Sequence, residues 1–435
     1  MLLLALSLTF AQAPMFAPRF QRFGSRGEPG RSDRGFDDTG LAFFEAFPAS
    51  GAGTTTACST TAPTGAKGEA LTFTRASTAT CTKTATGGLT ATGIAVGDLV
   101  SLGNNVARVE YDSNGVLGLL VESSGANSLL RSEEIENVAW TSTATVTANA
   151  ATPPQTTGQI SNAEQLSDAS AVAFQGSCQT ISTTSATQHT FYAYVRAGTA
   201  TGAQVTMTGV GSSTGDCTAT KSGLSGTTWD ILGCSSPAAY GALLTSVMVC
   251  INVGTVVADT GTVMAWGADY KVSAAYRTSY TPTAGAGGAR AAETATLPGA
   301  TWPVSPVSFA MNFTAPWSGT TTAADMFYGN VASNSGWTMG WTGAALRSQP
   351  CAAGACATLD VAQGPTALIT ARWAVSYSGT QTTMLKDAVV IAGPTAKTAP
   401  ASPWATAVNI GQAGFGTSNA ILSRLCVDSD PTRCR

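Results

Sequence analysis

The stretch GLLVESSGANSLLRSEEIENVAW, Gly118 to Trp140, is one of a series of segments in which a few residue types stand at set intervals. Leu71 to Thr80 (LTFTRASTAT) precedes it, and His189 to Gly198 (HTFYAYVRAG), Trp266 to Thr283 and Ala289 to Pro298 follow in order, over about half of the chain. Within the second of these, Phe191, Ala193 and Val195 alternate with Tyr192, Tyr194 and Arg196. That period of two predicts a strand with one apolar face and one aromatic, basic face. Val247, Val249 and Ile251 against Met248, Cys250 and Asn252 predict another, buried on most of both sides as in a sandwich core.

Taken together, these landmarks resemble a signature of bacteriophage fibre and spike proteins and related bacterial surface proteins, where it opens a carbohydrate-binding-like β-sandwich. The resemblance implies that Leu71–Thr80 is the lead-in, that residues 117–296 are the sandwich and that residues 41–116, which read as a small N-terminal β region with Gly-rich turns, are a connector. It also implies that Trp140 and Trp266 are core and that Ser132-Glu133 belongs to the scaffold. The chain departs from the pattern after the Trp-Gly pair, where it reads Ala268, Asp269, Tyr270, Lys271, and before Leu129-Leu130, where it reads Gly125, Ala126, Asn127, Ser128.

Composition points to the same fold class. Of 435 residues, 44% are apolar, which is globular, but only 11% are charged, about half the usual share. Short Thr/Val/Phe/Tyr runs punctuated by Gly and Pro predict an all-β protein of tandem antiparallel β-sandwich (jelly-roll) domains with many turns. A net charge of −3 provides no basic field for nucleic acid. The ten cysteines fall as Cys58 and Cys81, then Cys178, Cys217, Cys234 and Cys250, then Cys351, Cys356, Cys426 and Cys434. Even counts in each region predict disulfides within regions, with Cys351–Cys356 and Cys426–Cys434 as local loops, and an extracellular location, secreted or on a virion. A CxxC pair is absent and His189 is the sole histidine, so zinc and other metal sites are not expected.

Residues 1–13 read as a secretory apolar run with an A-x-A site, although no Lys or Arg precedes it and Pro14 follows. Residues 14–40 are a flexible leader in which Arg19, Arg22, Arg26, Arg31 and Arg34 interleave with Phe16, Phe20, Phe23 and Phe36. No stretch is long and apolar enough to span a bilayer. Val96 to Arg108 reads as a hairpin. From 302 to 435, Val307 to Phe313, Gly336 to Gly340, Ala367 to Tyr377 and Asp387 to Ala392 are strand-like. Their arrangement resembles a laminin-G-like or concanavalin-like lectin jelly roll, in which a D-G turn is expected where this chain has Asp387-Ala388.

No catalytic constellation emerges. His189 heads a predicted strand, where a surface role is expected, and Glu133, Glu134 and Glu136 have polar neighbours with no evident reason for a raised pKa. What the chain offers is aromatic side chains among small polar residues, the pairing that stacks on and hydrogen-bonds to sugars. Trp337 and Trp341 with Asn330 and Asn334 fall in a stretch whose Asn, Ser and Gly predict an exposed loop. Tyr192 and Tyr194, with Trp229 and Tyr240, are the candidates in the first sandwich. The expected function is a non-enzymatic adhesin or fibre-like receptor-binding protein for cell-surface or matrix glycans, without cofactor. A virion-decorating or filament-forming subunit is the alternative; the fibre resemblance implies a homo-oligomer such as a trimer, which the residues themselves do not show, and a depolymerase would require two carboxylates flanking a groove.

Overall fold

The computed structural model describes residues 57–60, 71–84, 92–298, 306–331, 335–352, 355–396, 407–411, 417–428 and 434. The apolar start at 1–13 and the leader at 14–40 lie outside them. Among the described residues the protein is all-β, with every named strand pairing antiparallel and no helix.

One sandwich packs a six-stranded sheet on a five-stranded one. The six strands run in the order Thr92–Ile94, Trp229–Ser235, Thr190–Ala197, Gly261–Lys271, Ala163–Asp168 and Thr145–Ala151. The five run Cys217–Ser222, Gly202–Val210, Ser246–Val253, Gly176–Ser182 and Thr141–Ser142. Phe191, Ala193 and Val195 face Val205, Met207, Val249 and Ile251 across the core, the arrangement that alternation along both strands dictates.

The second sandwich is built partly from residues on the far side of the first. Its seven-stranded sheet takes Val389–Ala396, Gln381–Lys386, Ala371–Tyr377, Val307–Thr314 and Ala420–Asp428, then Leu117–Val121 and Arg108–Tyr111. The facing eight-stranded sheet likewise recruits Thr72–Thr74 and Thr294–Pro298 beside Ala407–Ile410 and the Ala323–Val331, Ser335–Thr342 and Leu346–Ala352 strands. Leu71, Phe73, Val109, Leu119 and Val121 share one core with Phe309, Trp373 and Val427. The first sandwich is therefore inserted into the second. This corrects the expected boundaries at 116/117 and at 296–302. Thr72–Thr74, Arg108–Tyr111 and Leu117–Val121 join sheets formed mainly by the C-terminal third, because alternating Val109, Leu119 and Val121 can cover any open core and local sequence does not say which. Gly118 belongs to this closure: a side chain there would meet Ile421 Cγ2 at 2.6 Å and the Leu422 carbonyl at 2.8 Å.

The expected Val96–Arg108 hairpin is also corrected. Leu99–Leu102 pairs with Ala79–Thr82, while Arg108–Tyr111 pairs with Leu117–Val121. The cysteines form Cys58–Cys81, Cys178–Cys250, Cys217–Cys234, Cys351–Cys356 and Cys426–Cys434, leaving none free. Cys178 with Cys250 and Cys351 with Cys356 are direct cross-strand partners. The Lys386–Val389 hairpin turns through Asp387 (φ 49°) and Ala388 (φ 66°), the doubly left-handed pair for which Asp-Gly is preferred.

Where the two sandwiches meet, charge is buried. Glu293 accepts from Arg75 Nη1 at 2.9 Å and from Arg108 Nε and Nη2, both at 2.6 Å. Glu122 accepts from Arg108 Nη2 at 2.6 Å and lies 3.3 Å from Arg290 Nη2. The Glu122 N–H donates to Glu293 at 2.8 Å, closing the network. Paired guanidiniums hold Glu122 down to about 2 against the upward push of its burial.

Candidate functional site

The alternation read at Thr190–Ala197 leads to the site. Its outward residues Tyr192 and Tyr194 are covered by Ile94 and Leu99 of the residues 92–102 segment and by Trp229, Trp266 and Tyr280. Tyr194 stands edge-on to Trp266 at 5.4 Å and to Tyr280 at 5.9 Å, geometries that suit aromatic quadrupoles. Arg196 on the same face lies 5.0 Å over the Trp229 ring.

The cover is incomplete, and a cleft remains. Thr80, Thr82, Glu110, Tyr192, Tyr194 and Arg277 line it, with Leu99, Leu120, Ile231, Thr278, Ser279 and Tyr280 completing its walls. Its free volume is about 30 Å³, room for roughly two waters or one substituent of a larger ligand. The Tyr192 hydroxyl is 3.0 Å from Asp269 Oδ2 and 2.8 Å from the Thr278 carbonyl. Arg277 lies 5.7 Å over the Tyr192 ring. Burial pushes the Glu110 carboxyl up to about 7 against the pull of Arg108, while the Thr82 N–H donates to it at 3.3 Å. Aromatic rings, hydroxyls, a guanidinium and a buried carboxyl thus line one opening.

The landmark residues prove to be the frame of this cleft. Asn127 Nδ2 donates to the Ala268 and Thr281 carbonyls at 2.9 and 2.8 Å, and its Oδ1 accepts from the Tyr270 N–H at 3.0 Å. Glu133 accepts from the Tyr280 hydroxyl at 2.9 Å and from the Ile160 N–H. The polar neighbours of Glu133 gave no reason to expect a raised pKa; it is buried, and desolvation raises its pKa. Glu164, which carries no motif, is buried too, its carboxyl pushed up to about 9 by desolvation and then by Glu136.

Trp337 and Trp341 are not part of the cleft. They are 1% and 0% exposed, so the exposed-loop expectation is corrected. They occupy the Ser335–Thr342 strand, where Trp337, Met339 and Trp341 point to one core at a spacing of two. Trp337 Nε1 donates to Ser348 Oγ at 2.8 Å and Trp341 Nε1 to the Gln363 carbonyl at 2.9 Å. Asn330 lies on the partner strand, in register with Gly336, and Asn334 lies outside the described residues. Trp229 and Tyr240 are buried.

His189, expected at the surface, is buried. Its Nε2 lies 3.1 Å from the Ser185 carbonyl and must carry the proton, so Nδ1 accepts from the Tyr270 hydroxyl at 2.6 Å. Burial lowers its pKa. A histidine whose folded pKa is depressed loses stability as pH falls below its unfolded value near 6.5, because the unfolded chain takes up the proton first. Wild type should therefore lose more stability than His189→Gln between pH 7.5 and 5.5 in urea unfolding. Equal losses would rule out this histidine as the origin.

The fold and the cleft define a double β-sandwich with a polar-aromatic opening. No family model and no curated protein matches the chain. Among solved structures it is similar to mouse laminin alpha1 chain domains LG4-5, at 8% identity and TM-score 0.26, covering 71% of this chain and 89% of that one. It is also similar to the N-terminal CBM22-1-CBM22-2 tandem domain of Paenibacillus barcinonensis Xyn10C, at 10% identity and TM-score 0.25, covering 72% and 100%. Overlaps this shallow say nothing of function. Among the described residues, no helix is long and apolar enough to cross a membrane.

Proposed function

We propose that this chain is an extracellular, non-enzymatic glycan-binding protein, an adhesin or fibre-like receptor-binding protein, whose ligand enters the Tyr192–Arg277 cleft. The observation that carries the reading is the convergence of Tyr192, Tyr194, Arg277, Glu110 and the Thr80 and Thr82 side chains on one opening. Tyr192 and Tyr194, 1% and 3% exposed, form the floor of the opening, while the half-buried Arg277, Thr278 and Ser279 offer donors and acceptors to a sugar's hydroxyls. The small volume favours a single terminal substituent entering end-on. The landmark order along the sequence and five disulfides, which suit an oxidising compartment, support the same reading.

A glycan array probed with wild type and with Arg277→Ala tests it. Specific binding by wild type and loss of about tenfold or more in the variant is the expected result, in line with a lost charge-assisted hydrogen bond. If the folded wild type binds no glycan, the reading fails.

A further inference from the structure

Glu110 stands apart from the other acids of the buried network. Glu293 accepts from two arginines and a backbone N–H, and Glu122 accepts from Arg108 and from the Ser279 N–H at 3.0 Å. Glu110, buried as they are, accepts only from the Thr82 N–H at 3.3 Å, and its other oxygen has no hydrogen-bond partner among the described residues. Arg108, two residues away on the same strand, cannot supply one. Its Nε donates to Glu293, its Nη2 to Glu122 and Glu293, and its Nη1 to the Thr80 carbonyl and the Ser279 hydroxyl, which uses all five donors of a guanidinium.

A buried carboxylate left with one long hydrogen bond is costly unless another donor reaches it. The cleft is where such a donor can arrive, because Glu110 and Thr82 both lie in its wall. Its free volume, about 30 Å³, admits a hydroxyl or hydroxymethyl group. The charged and titratable groups around Glu110 are Arg108 on its own strand, Glu122 and Glu293 of the network, Tyr192 and Tyr194 on the cleft floor and Arg277 in the cleft wall. Burial raises the Glu110 pKa most, Arg108 and the Thr82 N–H draw it back, and Glu122 and Glu293 push it up again, to about 7. An ionised carboxylate only accepts hydrogen bonds, so a ligand hydroxyl favours that form and a proton competes with the ligand.

We propose that Glu110 is the specificity-determining acceptor of the cleft, holding a hydroxyl of a neutral sugar in its ionised form and releasing it on taking up a proton. This rests on the glycan-binding reading and adds to it the class of sugar and the pH range in which it is held. An acidic sugar would set its own carboxylate against Glu110, and like charges at that range disfavour it. Affinity is full above the folded pKa of Glu110 and falls as pH drops through it, because each binding event must then first remove a proton.

A glycan array carrying neutral, uronic and sialylated glycans, probed over a concentration series at pH 8 and pH 6 with the full chain, tests this. Wild type should bind neutral glycans and lose about tenfold in affinity from pH 8 to pH 6. Glu110→Gln should bind them about tenfold more weakly at pH 8 and show no dependence on pH, which also separates Glu110 from His189, the sole histidine. Glu110→Asp keeps the carboxyl and should keep the pH dependence, so the test stands if the glutamine variant fails to fold, and thermal unfolding at both pH values separates lost binding from lost structure. Neutral-glycan binding by wild type that is equal at the two pH values, or a preference for uronic or sialylated glycans, would overturn the role of Glu110 and leave the glycan reading intact. Folded wild type that binds no glycan at either pH would overturn both.

Discussion

Glu293→Ala should lower the unfolding free energy by about 3–5 kcal/mol, the cost of breaking a buried ion network and stranding its cations. Both of its carboxylate oxygens are used, one by Arg75 and Arg108 and the other by Arg108 and the Glu122 backbone. Alanine leaves two fully buried guanidiniums short of acceptors at the place where both sandwiches meet. Glu293→Gln keeps the shape and part of the hydrogen bonding and should fall between wild type and alanine. Guanidinium unfolding followed by tryptophan fluorescence gives the comparison, and a loss for alanine below about 1 kcal/mol would mean that solvent reaches the network.

Trp341→Ala should be of similar severity, about 3–5 kcal/mol, because a large buried ring leaves a cavity that its neighbours cannot collapse into. Trp341 stands 5.4 Å from Trp317, 5.2 Å from Trp373 and 4.8 Å from Phe313, and its indole N–H loses a carbonyl partner. The expected signature is a large drop in thermal midpoint with glycan binding unchanged at temperatures where the variant is folded. Loss of binding by a variant with wild-type stability would instead return Trp341 to the role of a sugar platform.

The contrast between the tyrosines and the tryptophans shows what the sequence discloses. Tyr192 and Tyr194 alternate with Phe191, Ala193 and Val195 in an unbroken run, so both faces of their strand were legible, and the outer one does line the cleft. Trp337 and Trp341 have the same period, but intervening glycines and the Ser/Asn-rich sequence before them hide it; only Trp337, Met339, Trp341 taken alone reveals a buried face. Thr278, Arg277 and Glu110 were missed because they come from two separate segments that the fold brings together, and no local pattern encodes that. The Asp387-Ala388 turn was expected only from the lectin resemblance, with Ala388 a departure from its Asp-Gly, and the residues alone read Asp387 to Ala392 as strand; the turn forms without glycine because the flanking paired strands hold both residues in the left-handed region. His189 misled for the opposite reason: nothing near it in sequence announces Tyr270.

The insertion of one sandwich into the other sets an order of assembly. Ser123 hydrogen-bonds to Asn419, 296 residues away, at 2.8 Å, and the neighbouring Leu117–Val121 strand has its partner in Ala420–Asp428. On the ribosome, the inserted sandwich can close while its host's early strands still wait for their partners. Those strands, whose Val109, Leu119 and Val121 belong to the host core, lack their partner until Ala420–Asp428 has been made, and unpaired apolar edges of this kind attract other chains. Synthesis therefore passes through an interval in which the finished half of the protein carries the unfinished half's sticky seam, and a chaperone or a fast finish to translation is what that seam requires.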